Sequence, residues 1–168
     1  MSTDLLPSET KPMASSVSEG KYLTFNLADE TYGVGVLEVR EIIRHQVITP
    51  VAKVPHYIRG IINLRGKIIP VIDLGLRFGL GAIEETNQTC IIVVQYNTKN
   101  QPDRLAGLMV KGVREVTQIS SDDIEQAPDF GDGVSLQFVK GMAKGKSGVC
   151  TLLHIQSIIG PSTLESTF

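Results

Sequence analysis

YIRGIINLRGKIIPVIDL, residues 57–74, holds two runs of Ile, Leu and Val joined by Leu64-Arg65-Gly66-Lys67. Apolar, β-branched runs bounded by turn residues read as strands, and Gly66 suits the positive φ of a tight hairpin turn. The stretch predicts a β-hairpin with Arg65 at its tip rather than in the core. A tip arginine has two readings. It is either a solvated turn residue or a rigidly presented guanidinium whose donors grip the carboxylates or carbonyls of a partner.

The same strand signal recurs outward in both directions, in YLTFNL, TYGVGVLEV, CIIVVQY, RLAGLMV, GVREVTQI, VSLQFVKGM and GVCTLLHI. Amphipathic segments of helix length are scarce, so the class is all-β with short helical turns. Ala28-Asp29-Glu30 links its flanking runs as a short hairpin, and Asn97 to Pro102 is polar, turn-forming chain. Pro50 and Pro55 allow at most a short helical turn ahead of the central hairpin. Residues 1–20, rich in Ser, Thr, Pro and Glu, are expected to form a disordered tail, and residues 161–168 a second one.

The chain also resembles itself. YGVGVLEVREI (32–42) lies over AGLMVKGVREV (106–116) without a gap, so that Gly33 meets Gly107, Val36 meets Val110, and Val39-Arg40-Glu41 meets Val113-Arg114-Glu115. Further on, YIRGI (57–61) meets FVKGM (138–142), and VIDL meets LLHI. Two copies of one small β unit are expected, about 21–85 and 88–160, packed together with strands open to exchange. Where the copies differ, Arg65 stands opposite Lys146 and Asp73 opposite His154, which marks these places in the first copy as specialised.

Composition narrows the function. A formal charge of -2 on 168 residues supplies no field for nucleic acid or anionic membrane, and basic residues lack an aromatic stacking platform. There is no leader-like apolar segment and no run of about 18 apolar residues, so a cytoplasmic address without membrane insertion is expected. Cys90 and Cys150 lie in apolar contexts and are expected to be buried free thiols. His45, His56 and His154 have no metal-ligand spacing, and GMAKGKS (141–147) has three residues between its glycines where a phosphate loop needs four. An enzyme on a small β-barrel remains the competing class. Its sign would be a convergent acid, base or nucleophile set, which the sequence lacks, so no catalytic residue, metal or cofactor is expected.

Two other features carry paired readings. Gly33 and Gly35 either leave a shallow face that another chain approaches or relieve crowding within the sheet. Ile124 and Phe130, in the polar loop DDIEQAPDFGDG, either pin that loop to the core or serve as docking knobs.

YLTFNLADETYGVGVLEVREII, ITPVAKVPHYIRGIINLRGKIIPVIDLGLRFGL and AGLMVKGVREV together resemble the CheW family of bacterial chemotaxis coupling proteins, over about Lys21 to Ile159. The resemblance implies two intertwined five-stranded SH3-like β-barrels and no catalysis. It implies a cytoplasmic adaptor that couples transmembrane chemoreceptors to the histidine kinase CheA. Its partners would be the CheW-like regulatory domain of that kinase and the cytoplasmic hairpin tip of the receptors, with further CheW copies in membrane-associated arrays. Carried over by motif, the receptor groove involves Val39, Glu41, Gly60, Arg65 and Thr89, with Val110 and Val113 on its other side. Val36 belongs to the principal kinase contact, and Ile124 and Phe130 to a second contact that closes rings. Cys90 stands where the family commonly has an aliphatic residue, and the GVSLQ region is irregular. Service in a different chemosensory system, such as one driving twitching motility, and a purely structural place in arrays stay open as alternatives.

Overall fold

In the computed structural model the central stretch is a hairpin, β4 (Ile58–Leu64) and β5 (Lys67–Asp73), paired antiparallel from Ile58↔Ile72 to Leu64↔Lys67. Its turn has φ 52° at Arg65 and 88° at Gly66. Positive φ at both positions matches the right-handed twist of the strands. Gly66 adopts it freely, whereas Arg65 holds a conformation that crowds its Cβ. Asn63 steadies the turn, its Oδ1 accepting from the Gly66 N–H at 2.9 Å.

The structure describes residues 19–44, 46–98, 102–126, 136–145 and 148–160. The other strands are β1 (Gly20–Leu27), β2 (Glu30–Gly35), β3 (Val39–Arg44), β6 (Cys90–Tyr96), β7 (Arg104–Val110), β8 (Gly112–Ile119), β9 (Ile124–Glu125), β10 (Val139–Gly145) and β11 (Gly148–Leu153). Short helices follow β5 and β11: α1 (Leu74–Arg77) and α2 (Ile155–Ile159). The class is all-β, as the sequence predicts. Two details differ. TYGVGVLEV is not one strand, because a 3-10 turn at Val36–Glu38 separates β2 from β3, and the two-residue β9 adds a sixth strand to one sheet.

One sheet runs β8-β1-β2-β11-β10-β9 and the other β3-β6-β7-β5-β4. The sequence repeat is visible in this order, since β1, β2, β3, β4 and β5 correspond to β6, β7, β8, β10 and β11. The first two strands of each copy join the last three of the other, so the copies are intertwined. Registers agree closely. Val71 pairs in parallel with Gly107, and its counterpart Leu152 pairs in parallel with Gly33. Ladder shifts also recur, between Ile58 and Gly60 in one copy and between Val139 and Gly141 in the other.

A main core fills the space between the sheets with side chains of both copies, including Phe25, Tyr32, Val71, Ile92, Leu108 and Ile158, all at most 1% exposed. Burying an aliphatic side chain of this size contributes about 1.5–3 kcal/mol, which is what holds two exchanged copies together. Gly33 serves crowding relief: a Cβ there would lie 3.2 Å from Cys150 Sγ and Leu152 Cδ2, so the chain that approaches it is the protein's own β11.

Arg77 sits where the copies meet. Its guanidinium carbon lies 4.4 Å from the Tyr57 ring centre and 4.7 Å from that of Phe138, the Tyr57 counterpart. Its Nε donates to the Ile158 carbonyl at 2.7 Å and its Nη2 to that of Ser157 at 3.3 Å, so α1 is tied to α2. Cation–π and charge-assisted bonds act here together.

Candidate functional site

The hairpin that carries Arg65 is anchored at its base by Asp73, which is fully buried. Asp73 Oδ2 accepts from Arg59 Nε at 3.0 Å and from the Ile83 N–H at 3.1 Å, while Oδ1 caps α1 through the Leu76 N–H at 3.1 Å. Arg59 Nη2 in turn donates to the Ile83 carbonyl at 2.7 Å. The specialisation of Asp73 over His154 is therefore structural: a buried carboxylate persists because it has a cation and two amide donors. His154 begins α2 without a side-chain cap.

At the other end of the hairpin, Arg65 Nη2 donates to Glu41 Oε2 at 2.7 Å. The arginine side chain is 72% exposed and that of Glu41 27%, so the pair stands at the surface with the guanidinium outward. Glu41 reaches it because β3 bulges against β6: Val39 pairs with Val94 and Glu41 with Val93, leaving Arg40 unmatched and re-aimed. The bond to Glu41 holds the Arg65 guanidinium charged even more firmly than usual.

Beside the pair lies a shallow depression. Leu105 contributes apolar surface to it, the largely buried Leu64 and Val93 adjoin it, and Arg40, Glu41, Arg65 and Lys67 line it with charge. Gln95 and Asp103 complete its lining and are hydrogen-bonded to each other.

Of the groove residues expected from the sequence, the structure joins Glu41 to Arg65 directly. Val39 and Val113 are half-buried at equivalent starts of β3 and β8 and pack against the main core. The other three are placed as follows. Val110 has no exposed surface, because β7 lies inside its sheet between β6 and β5 and is covered on both faces. Gly60 is buried with φ 149°, and a Cβ there would lie 2.1 Å from the Thr49 carbonyl oxygen, so the glycine admits a neighbouring backbone. The Thr89 hydroxyl accepts from the Thr86 N–H at 2.9 Å and donates to the Glu84 carbonyl at 3.2 Å, so it is occupied in shaping its own loop.

For the kinase contact, Val36 is half-buried against the core, while its neighbour Leu37 is 91% exposed. Ile124 packs half-buried on a second cluster with Tyr22, Ile119, Ala143 and Leu152. Phe130, His45 and Lys146 lie outside the described residues. Sequence reading missed Leu37, Arg40 and Lys67. Leu37 sits in an apolar run and counts as strand until the 3-10 turn is known, and the aim of Arg40 depends on a bulge that no local pattern announces.

Burial pushes the Glu38 carboxyl up against an opposing pull from Lys140, and burial with Lys140 nearby pushes the His154 imidazole down. Cys90 and Cys150 are free, the first buried and the second half-buried. Among the described residues no group of His, Cys, Asp and Glu is arranged to hold a metal ion, and no helix is long and apolar enough to cross a membrane.

Fold and site define a duplicated, strand-exchanged β module with an ion-paired hairpin tip beside a shallow, partly apolar depression. The family model described as a CheW-like domain matches residues 21–161. The chemotaxis protein CheW of Bacillus subtilis is 35% identical over 155 residues, covering 92% of this chain and 96% of the relative. That of Klebsiella aerogenes is 30% identical over 139 residues, covering 83% and 81%. The crystal structure of the scaffolding protein TtCheW from Thermoanaerobacter tengcongensis superposes with a TM-score of 0.74 at 36% identity, covering 83% of this chain and 87% of that one. The chain belongs to the CheW family of chemotaxis adaptor proteins.

Proposed function

We propose that this chain couples chemoreceptors to the histidine kinase CheA, acting by binding alone. The observation that carries the reading is the Arg65–Glu41 pair, 2.7 Å across and held at a rigid hairpin tip. A guanidinium fixed in this way orients a docked helical hairpin, while Val39 and the apolar surface of the depression bury its side chains. The exposed turn at Leu37, next to Val36, is the corresponding surface for the CheW-like regulatory domain of the kinase. Ile124, Phe130 and further copies of the chain belong to ring closure in receptor arrays, to which the protein is recruited from the cytoplasm. Signalling is then a shift between array states, with no chemistry on this chain.

Kinase autophosphorylation with receptor-containing membranes, in the presence and absence of the chain, tests this. Receptor-dependent activation is expected only in its presence. Arg65→Ala should weaken receptor coupling while circular dichroism and unfolding stay as in the wild type; undiminished coupling by the folded variant refutes the role of the pair.

A further inference from the structure

We infer that the depression beside the Arg65–Glu41 pair selects its occupant by charge, taking an acidic face of a receptor's helical hairpin whose carboxylates meet Arg40 and Lys67. The inference rests on the reading that a receptor tip docks at this depression.

The residues lining it carry three cations, Arg40, Arg65 and Lys67, and two carboxylates, Glu41 and Asp103. Arg65 and Glu41 satisfy each other, and Asp103 accepts from Gln95. Arg40 and Lys67 are exposed and have no carboxylate partner among the described residues. The local excess of charge is therefore positive although the whole chain is at -2. Leu64 and Leu105 adjoin these cations, so an occupant that brings carboxylates and apolar side chains together answers both.

The other copy supplies an internal comparison. Its equivalent depression has Thr24, Thr31, Gly145 and Gly148 at the aligned positions, beside Arg114 and Glu115, with Lys144, Asp123 and Val149 also in its lining. The ladders align Glu115↔Thr24 with Glu41↔Val93, and the hairpin pair Gly145↔Gly148 with Leu64↔Lys67. Hence Val93 and Leu105 are replaced by threonines, Leu64 by glycine, and Lys67 by a glycine without charge. At these four aligned positions the first copy is the more apolar and carries the added charge of Lys67, which the shared backbone does not require.

The test is a titration of the isotopically labelled chain with a soluble chemoreceptor-tip hairpin fragment from the same organism, followed by NMR at low and at raised salt. Three proteins are compared: the wild type, Arg40→Glu with Lys67→Glu, and the charge-keeping Arg40→Lys with Lys67→Arg. Expected are amide shifts at Leu64 and Leu105, affinity falling with salt, a loss of about ten-fold or more at low salt on charge reversal, and near wild-type binding by the charge-keeping pair. Shifts at the depression with affinity indifferent to charge reversal overturn the charge inference and leave the docking reading standing. Binding whose shifts lie elsewhere, or no binding by the wild type, overturns the docking reading and the inference with it.

Discussion

Replacing Asp73 with alanine removes a fully buried carboxylate that joins β5, α1 and the segment reaching Ile83. Loss of its cap on the Leu76 N–H costs about 1 kcal/mol. The Ile83 N–H, left without an acceptor, costs about 1–3 kcal/mol. Removing one partner of a fully buried ion pair costs about 3–5 kcal/mol, but Arg59 is 29% exposed and turns partly to water, so its share is nearer about 1 kcal/mol. Destabilisation of about 3–5 kcal/mol follows, or on the order of 10 °C in Tm for a domain of this size. Urea unfolding followed by far-UV circular dichroism measures it, with His154→Ala as the internal control. His154 holds the same position in the other copy without a side-chain cap, so its loss should cost about 1 kcal/mol or less. A loss under about 1 kcal/mol in Asp73→Ala, at unchanged slope with denaturant, refutes the assignment of Asp73 as the anchor of the hairpin.

Two further outcomes are expected. Gly60→Ala places a Cβ 2.1 Å from the Thr49 carbonyl oxygen at φ 149°, a cost of about 3 kcal/mol or more, and should reduce folded protein in expression and unfolding assays. Wild-type stability in that variant would mean that the two backbones do not approach so closely. Burial pushes the Cys150 thiol from 9.0 up to about 11 despite the pull of Arg114. The folded chain then holds this proton more tightly than the unfolded chain, so its contribution is intact below pH 9 and is lost as pH rises toward 11. Stability measured over that interval should fall less steeply in Cys150→Ser than in the wild type; parallel curves contradict the burial of the thiol.

Much of the fold was legible because strands signal locally. CIIVVQY, RLAGLMV and GVREVTQI are strands residue for residue, since β-branched runs and their turn residues act within a few positions. The repeat was legible as matching residues, yet which strand pairs with which was not, because exchange depends on contacts between distant segments. Position at the hairpin tip gave Arg65, and family resemblance gave its place with Glu41. The same resemblance named Gly60, Thr89 and Val110, whose surroundings in backbone packing, loop bonding and core no local pattern announced. Exposure depends on sheet order and on bulges, so Arg40, Lys67 and Leu37 could not be told from their neighbours by pattern.

Strand exchange has a consequence for how the chain is made. During synthesis β3, β4 and β5 leave the ribosome before β6 and β7, yet in the finished sheet β6 and β7 lie between β3 and β5. The edges that these two strands will cover stay open until the latter half of the chain is available. The other sheet likewise keeps β2 waiting for β11, which lies more than a hundred residues downstream. Early collapse of the first copy by itself therefore cannot produce a native sheet, and both cores mature together only once β6, β7 and β11 have been made. Pairings so far apart along the chain favour slow folding and a dependence on protection of open strand edges during growth, so a ribosome stalled after residue 88 should display a protease-sensitive nascent chain.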